Sequence, residues 1–161
     1  MIKLNIDIKY NGLKTFRFKK EFKQILRNLQ TYFKLENKEI SVDVLITNNE
    51  EIKKLNKKFR NKDYATDILS FDFSGKDIYK NLPIFPLGEL IISHEKVKQQ
   101  AKEFNHSIKR EYCYLFTHGL VHLMGFDHEL EEERIQMNKI VDDIFKPLNI
   151  NRKREEKENG N

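Results

Sequence analysis

Apolar and polar residues alternate along IKLNIDIKY at the start of the chain, the pattern of an edge or half-buried strand. The period then changes. From about Lys20 to Phe33, the residues Phe22, Ile25, Leu26, Leu29, Tyr32 and Phe33 recur at helical spacing. SVDVLIT (41–47) predicts a second strand. Asn48 or Asn49 can cap a helix running to about Phe59, with Ile52, Leu55 and Phe59 on its inner face. TDILSFDF (66–73) predicts a strand, followed by a loop holding Gly75, Pro83 and Pro86, and GELIIS (88–93) predicts another. Ser93 can cap a helix through about Phe104, and Ser107 a longer one ending near Met124, where Gly125 is a natural stop. A last helix spans roughly Glu129 to Phe145 and ends at Pro147. Strands and helices mix without strict alternation. The expectation is therefore an α+β fold: one domain over 1–150, with about four strands in a mixed sheet packed against helices. The remaining segment, 151–161, is nearly devoid of apolar residues and is expected to be a disordered charged tail.

Charge changes the picture more than bulk composition does. With 39% hydrophobic and 34% charged residues, the chain reads as a soluble globular protein with a heavily charged surface. No segment approaches the roughly 18 apolar residues of a membrane span. The alternating N-terminus lacks the apolar block of a signal peptide. Together with a lone cysteine, this sets cytoplasmic residence as the default. The net charge of +5 is unevenly spread. Residues 1–62 carry 16 Lys/Arg against 7 Asp/Glu, and the rest 14 against 18, so +9 faces −4. A basic half suits a polyanionic partner such as nucleic acid, although lysine spent on solvated faces gives the same statistic.

The chemistry concentrates in HGLVHLMGFDH (118–128). His118 and His122 are four residues apart on a predicted helix, so both imidazoles lie on one face, one turn apart. Gly125 lets the chain leave that helix in a left-handed turn that can bring His128 back to the same ion. Three neutral imidazoles leave the fourth tetrahedral position of a zinc ion open, the arrangement of a catalytic site. Zinc there can lower the pKa of its water to about 7 and supply a hydroxide nucleophile. The spacing also matches the metzincin protease pattern H-E-x-x-H-x-x-G-x-x-H, except that the general-base glutamate is replaced by Gly119. Protease chemistry of the usual kind is therefore disfavoured. The missing side chain is expected to leave open space beside the metal.

With these residues in view, the chain resembles the YbeY family of bacterial endoribonucleases, or rRNA maturation factors, over about Ser41 to Phe145. The family signature H-G-x-L-H-L-x-G-[YF]-D-H is matched from His118 to His128, with Val121 in place of the usual leucine. LNKKFR (55–60) resembles the family's L-N-x-x-[FY]-R, TDILSF (66–71) its T-D-V-L-S-F, and GELIIS its G-[DE]-[IL]-x-I-S strand. Asp72 stands where a proline often follows. The resemblance implies one Zn²⁺ held by His118, His122 and His128. It implies cleavage of single-stranded RNA, in maturation of the 16S rRNA 3′ end and in ribosome quality control. It also implies that Arg60 lies near the metal and acts with His118 in catalysis, as guanidinium suits phosphate. Implied partners are rRNA, the small ribosomal subunit and ribosome-associated proteins or GTPases, with no membrane and no small-molecule organic cofactor.

Other residues are weighed around that site. Asp127 either bonds a ligand imidazole or stabilises the turn after Gly125. Asp67 and Ser70 flank the site on a strand, where turn bonding and strand capping are their ordinary uses. Lys53, Lys57 and Lys58, together with Lys54 and Lys62, are expected to attract RNA phosphates without reading sequence. His94 and His106 are expected to be exposed and non-ligating, Cys113 to be a packing residue, and the 131–133 glutamates to be a solvated helix face. Two rivals remain open. One is a metalloprotease or other zinc hydrolase with its base from elsewhere; the other is a non-catalytic ribosome-assembly factor with structural zinc.

Overall fold

The computed structural model describes residues 4–73, 76–127 and 129–150; the 151–161 tail and His128 lie outside them. The N-terminal alternation becomes β1 (Leu4–Tyr10), with every second residue half-buried at first. The helical periodicity becomes α1 (Lys19–Tyr32), and β2 follows at Glu39–Thr47. Asn48 caps α2 (Asn49–Arg60), its side chain accepting from the Glu51 amide at 2.8 Å. Then come β3 (Ile68–Asp72) and β4 (Ile84–Ser93). Ser93 and Ser107 cap α3 (His94–Glu103) and α4 (Ile108–Leu123) through their hydroxyls, as expected. The last helix, α5 (Glu131–Phe145), begins two residues later than predicted. Its opening glutamates, Glu131 and Glu132 exposed and Glu133 half-buried, meet the positive end of the helix dipole. Among the described residues, no helix is long and apolar enough to cross a membrane.

The four strands form one mixed sheet in the order β1-β2-β4-β3, with β1, β2 and β4 parallel and β3 antiparallel to β4. The period of two sends alternate residues to opposite faces. On one face, Ile40, Val42, Val44 and Ile46 of β2 and Leu90 and Ile92 of β4 join the main core under α1, α4 and α5. In that core Phe22 stacks on Phe116, with ring centroids 3.9 Å apart. On the other face, Leu69 and Ile91 pack with Ile52 of α2. The sheet is thus sandwiched, and the predicted α+β architecture holds.

Two sequence expectations fail for physical reasons. Pro86 lies in β4, not in the preceding loop. It sits where the β2–β4 register slips: Ser41 pairs with Pro86 but Val42 with Gly88, so Leu87 is an extra residue. A proline is tolerated at such a bulge, where ladder bonding is already broken. Phe59 is not on the inner face of α2 but about half exposed, at 51%. It closes the last turn at the margin of the small Ile52 cluster, where its ring meets the half-buried Phe71 at 5.5 Å in a T-shaped contact.

Gly119 sets how closely α4 lies on the sheet. A Cβ at this position would come within 2.8 Å of both Ile68 Cδ1 and Leu90 Cδ2. The space expected to be open beside the histidines is therefore only partly so: Gly119 lines the cleft, but the side-chain ends of Ile68 and Leu90 lie where a Cβ would be and would have to shift for a glutamate. Gly119→Ala gains about 1 kcal/mol of helix propensity but pays an overpacking penalty of about 1–3 kcal/mol. The expected net result is a lower melting temperature in thermal denaturation. An unchanged or higher one would mean that α4 is not held against the sheet by this contact.

Candidate active site

The C-terminal end of α2, the edge strand β3 and one face of α4 enclose a cleft of about 530 Å³. Positions 111, 115, 118 and 122 of α4 follow the helical repeat, and all four line it. His118 and His122 are half-buried there, with ring centroids 6.2 Å apart. Both rings are on one face a single turn apart, and a modest closing of the two side chains would bring them to one tetrahedral ion.

The turn after α4 prepares His122. Gly125 has φ +100, a conformation that L side chains rarely adopt, and a Cβ there would meet nothing within 4 Å. The glycine is therefore required by backbone conformation rather than by space. The turn carries the Phe126 carbonyl back to His122 Nδ1, 2.6 Å away. A carbonyl only accepts, so Nδ1 carries the proton and the neutral ring keeps its lone pair on Nε2. This is the form a metal ligand needs, oriented as metal-bound histidines generally are. The donor set thus fits zinc as far as the described residues go. Among them no further histidine, cysteine or carboxylate completes a metal-binding group. His128, the third expected ligand, is outside them. Asp127 is half-buried in the exit turn.

Arg60 comes from the opposite wall, at the end of α2. Its guanidinium donates to the Ser70 carbonyl at 2.7 Å and lies over the Phe71 ring at 4.6 Å. Both contacts fix the head group of an otherwise flexible side chain and leave donors for a phosphate. Arg60, His118 and His122 therefore meet in one cleft although they are some sixty positions apart in sequence. Lys53, Lys57 and Lys58 are exposed on α2, with Lys57 3.8 Å from Asp63 and Lys58 over the Phe59 ring. Lys62 lines the cleft itself.

The cleft also holds carboxyl groups. Asp67 Oδ1 accepts from the Ile68 amide at 2.7 Å, the expected local capping bond, and Oδ2 accepts from Gln100 at 3.2 Å. Burial outweighs these bonds and raises its pKa. Glu111 escaped sequence reasoning altogether. Burial, reinforced by the Asp67 carboxylate, pushes it up to about 7, and Arg110 opposes the shift. The signal was available: Glu111 lies seven residues before His118, on the same helix face. His106, expected to be exposed, instead sits 3.6 Å from Glu111 with a side chain only 17% exposed. His94 is also not exposed. Both of its ring nitrogens are buried, and burial lowers its pKa. Cys113 is fully buried, as a packing residue should be, and burial raises its pKa.

Comparison with known proteins places the chain in a family. Residues 3–149 match the family model described as Endoribonuclease YbeY. The chain is 53% identical over 135 residues to the endoribonuclease YbeY of Mycoplasmopsis synoviae, covering 84% of this chain and 86% of that protein. It is 51% identical over 149 residues to that of Mycoplasmopsis pulmonis, covering 92% and 98%. The solution structure of TM1509 from Thermotoga maritima is similar with a TM-score of 0.56 at 28% identity, over 89% of this chain and 91% of that one.

The Glu111 shift makes stability depend on pH. Its folded pKa of about 7 exceeds the ordinary 4.5, so the folded state holds the extra proton between these values. Its contribution is fully present below about pH 4.5 and is lost as pH rises through about 7. The loss is up to about 3 kcal/mol at 1.36 kcal/mol per unit. In denaturant melts with chelator present, Glu111→Gln is expected to flatten this decline and to be the more stable protein at pH 8. Parallel pH profiles for the two proteins would refute the assignment.

Proposed function

We propose that this chain, which belongs to the YbeY endoribonuclease family, is a zinc-dependent nuclease that cleaves single-stranded ribosomal RNA. One observation carries the reading: a fixed arginine and two histidines, one of them oriented as a metal ligand, line the same cleft. His118 and His122, with His128 as the third ligand, would hold the ion. Bound zinc would supply Lewis acidity toward a phosphate oxygen. Arg60 binds the phosphate bidentately and stabilises the charge that develops on it during cleavage. His122 is kept in its ligand tautomer by the Phe126 carbonyl. Glu111, titrating near neutral pH, takes up or gives back a proton at its carboxylate. Lys53, Lys57 and Lys58 add sequence-independent attraction to the RNA backbone.

In the cell this activity would act in the cytoplasm, on the small ribosomal subunit, in maturing the 16S rRNA 3′ end and in ribosome quality control. Ribosome-associated proteins or GTPases would be its further partners. The protease reading loses support because Gly119 has no side chain to serve as the protease's base and the ends of Ile68 and Leu90 crowd the place of its Cβ.

The test is cleavage of a single-stranded RNA by the purified protein. His118→Ala and chelation are each expected to reduce cleavage to background. Arg60→Ala is expected to lower kcat by on the order of 10²-fold, as the loss of a single charge-stabilising donor does elsewhere. Equal cleavage by wild type, His118→Ala and Arg60→Ala would reveal a contaminating nuclease and remove the assignment.

A further inference from the structure

We propose that Phe59, in the last turn of α2 beside Arg60, and Tyr64, in the cleft lining, both exposed aromatic side chains, form a stacking platform for unpaired RNA bases and make the site selective for single strands. The inference rests on the reading of this chain as an RNA-cleaving enzyme and adds the residues that choose the strand.

Isolated exposed apolar side chains are ordinary. This pair is set apart by its position and its neighbours. Tyr64 is 54% exposed yet lines the cleft, and Phe59 is 51% exposed at the adjoining end of α2. The segment between them, Arg60-Asn61-Lys62-Asp63, carries two cations that also line the cleft. An aromatic side chain thus stands at each end of a segment that carries two cations, the combination of surfaces that track single strands, with cations on the phosphates and rings on the bases.

The rim is held in place from below. The buried side chain of Asn56 donates to the Tyr64 backbone carbonyl at 2.9 Å, which ties the segment after α2 back onto the helix. Asn61, in the left-handed conformation with φ 57, turns the chain out of α2 so that Tyr64 reaches the cleft. Phe71 takes the Arg60 guanidinium on its face and meets Phe59 in a T-shaped contact, at an interplanar angle of 72°. Arg60 is thereby committed to phosphate while the flat surface of Phe59 stays outside the core. The exposed side chain of Lys58 lies over that ring, 5.1 Å from its centroid. A base can displace such a weakly held cation toward its own phosphate.

The consequence is strand selectivity. In a duplex the faces of the bases are stacked on one another and cannot reach a protein ring, whereas an unpaired base can be splayed onto it. Phosphate contacts by Arg60, Lys62 and the α2 lysines are shared by both forms, so only the rings discriminate.

The experiment measures fluorescence anisotropy with a short labelled single-stranded RNA and with a duplex of the same length, chelator being present to prevent cleavage. Phe59→Ala and Tyr64→Ala are each expected to weaken single-strand binding by about five- to a hundredfold, the range for loss of one base–aromatic stack. Duplex binding is expected to stay unchanged. Phe59→Tyr should retain affinity and Phe59→Leu should not. Both positions are on the surface, and matching thermal melts check that the variants fold. Unaltered single-strand binding, equal losses for single strand and duplex, or full affinity in Phe59→Leu would overturn the platform. Wild-type cleavage of single-stranded RNA in the same preparation would then still uphold the nuclease reading. A wild type that neither binds nor cleaves RNA would overturn both.

Discussion

The close approach of α4 to the sheet at Gly119 is the contact on which the site depends. A helix normally stands off a sheet by the length of its side chains. Here one position has none, and the side-chain ends of Ile68 of β3 and Leu90 of β4 lie where its Cβ would be. The neighbouring residue, His118, is thereby brought beside the edge strand, and His122 follows one turn later on the same face. The absent side chain also explains why a metzincin-like spacing does not carry metzincin chemistry. The packing that positions the histidines crowds the place of the Cβ that the protease's glutamate would need.

The edge strand β3 then joins two faces of the molecule. It pairs only with β4 within the sheet, so both α2 on one side and α4 on the other can reach its exposed flank. Arg60 bonds to its Ser70 carbonyl and stacks on its Phe71. Asp67, just before it, bonds to Gln100 of α3. A short strand with polar side chains bonded across its ends is protected against pairing with other chains, and here the same device builds a functional wall.

Electrostatically the cleft is divided. The fixed guanidinium of Arg60 occupies the α2 side, where it can hold a phosphate without the cost of ordering a flexible side chain. The α4 side carries partly desolvated carboxyl groups. Burial raises both, and the Asp67 carboxylate adds to the burial of Glu111 to keep it near neutral pH despite the neighbouring Arg110. Positive binding groups facing a protonatable acid suit chemistry on an anionic substrate.

Much of this was legible in the chain itself. The element types, their serine and asparagine caps, the mixed α+β class and the pairing of His118 with His122 follow from periodicity, because periods of two and 3.6 and local capping bonds act over a few residues. Glu111 obeyed the same helical repeat and could have been read with the histidines. What only the tertiary structure decided involved contacts between distant segments. Nothing in LNKKFR says that Arg60 reaches Ser70, that Phe59 stays outside the core, or that Pro86 falls in a strand at a bulge. Nothing around Gly119 says that the place of its Cβ is crowded by Ile68 and Leu90. Likewise, the proton affinity of Glu111 depends on burial and on Asp67, forty-four positions away. Spacing along a chain determines which side chains share a face. Only the packed fold determines what that face meets, since the partners, the excluded volume and the loss of solvent all come from elsewhere in the sequence.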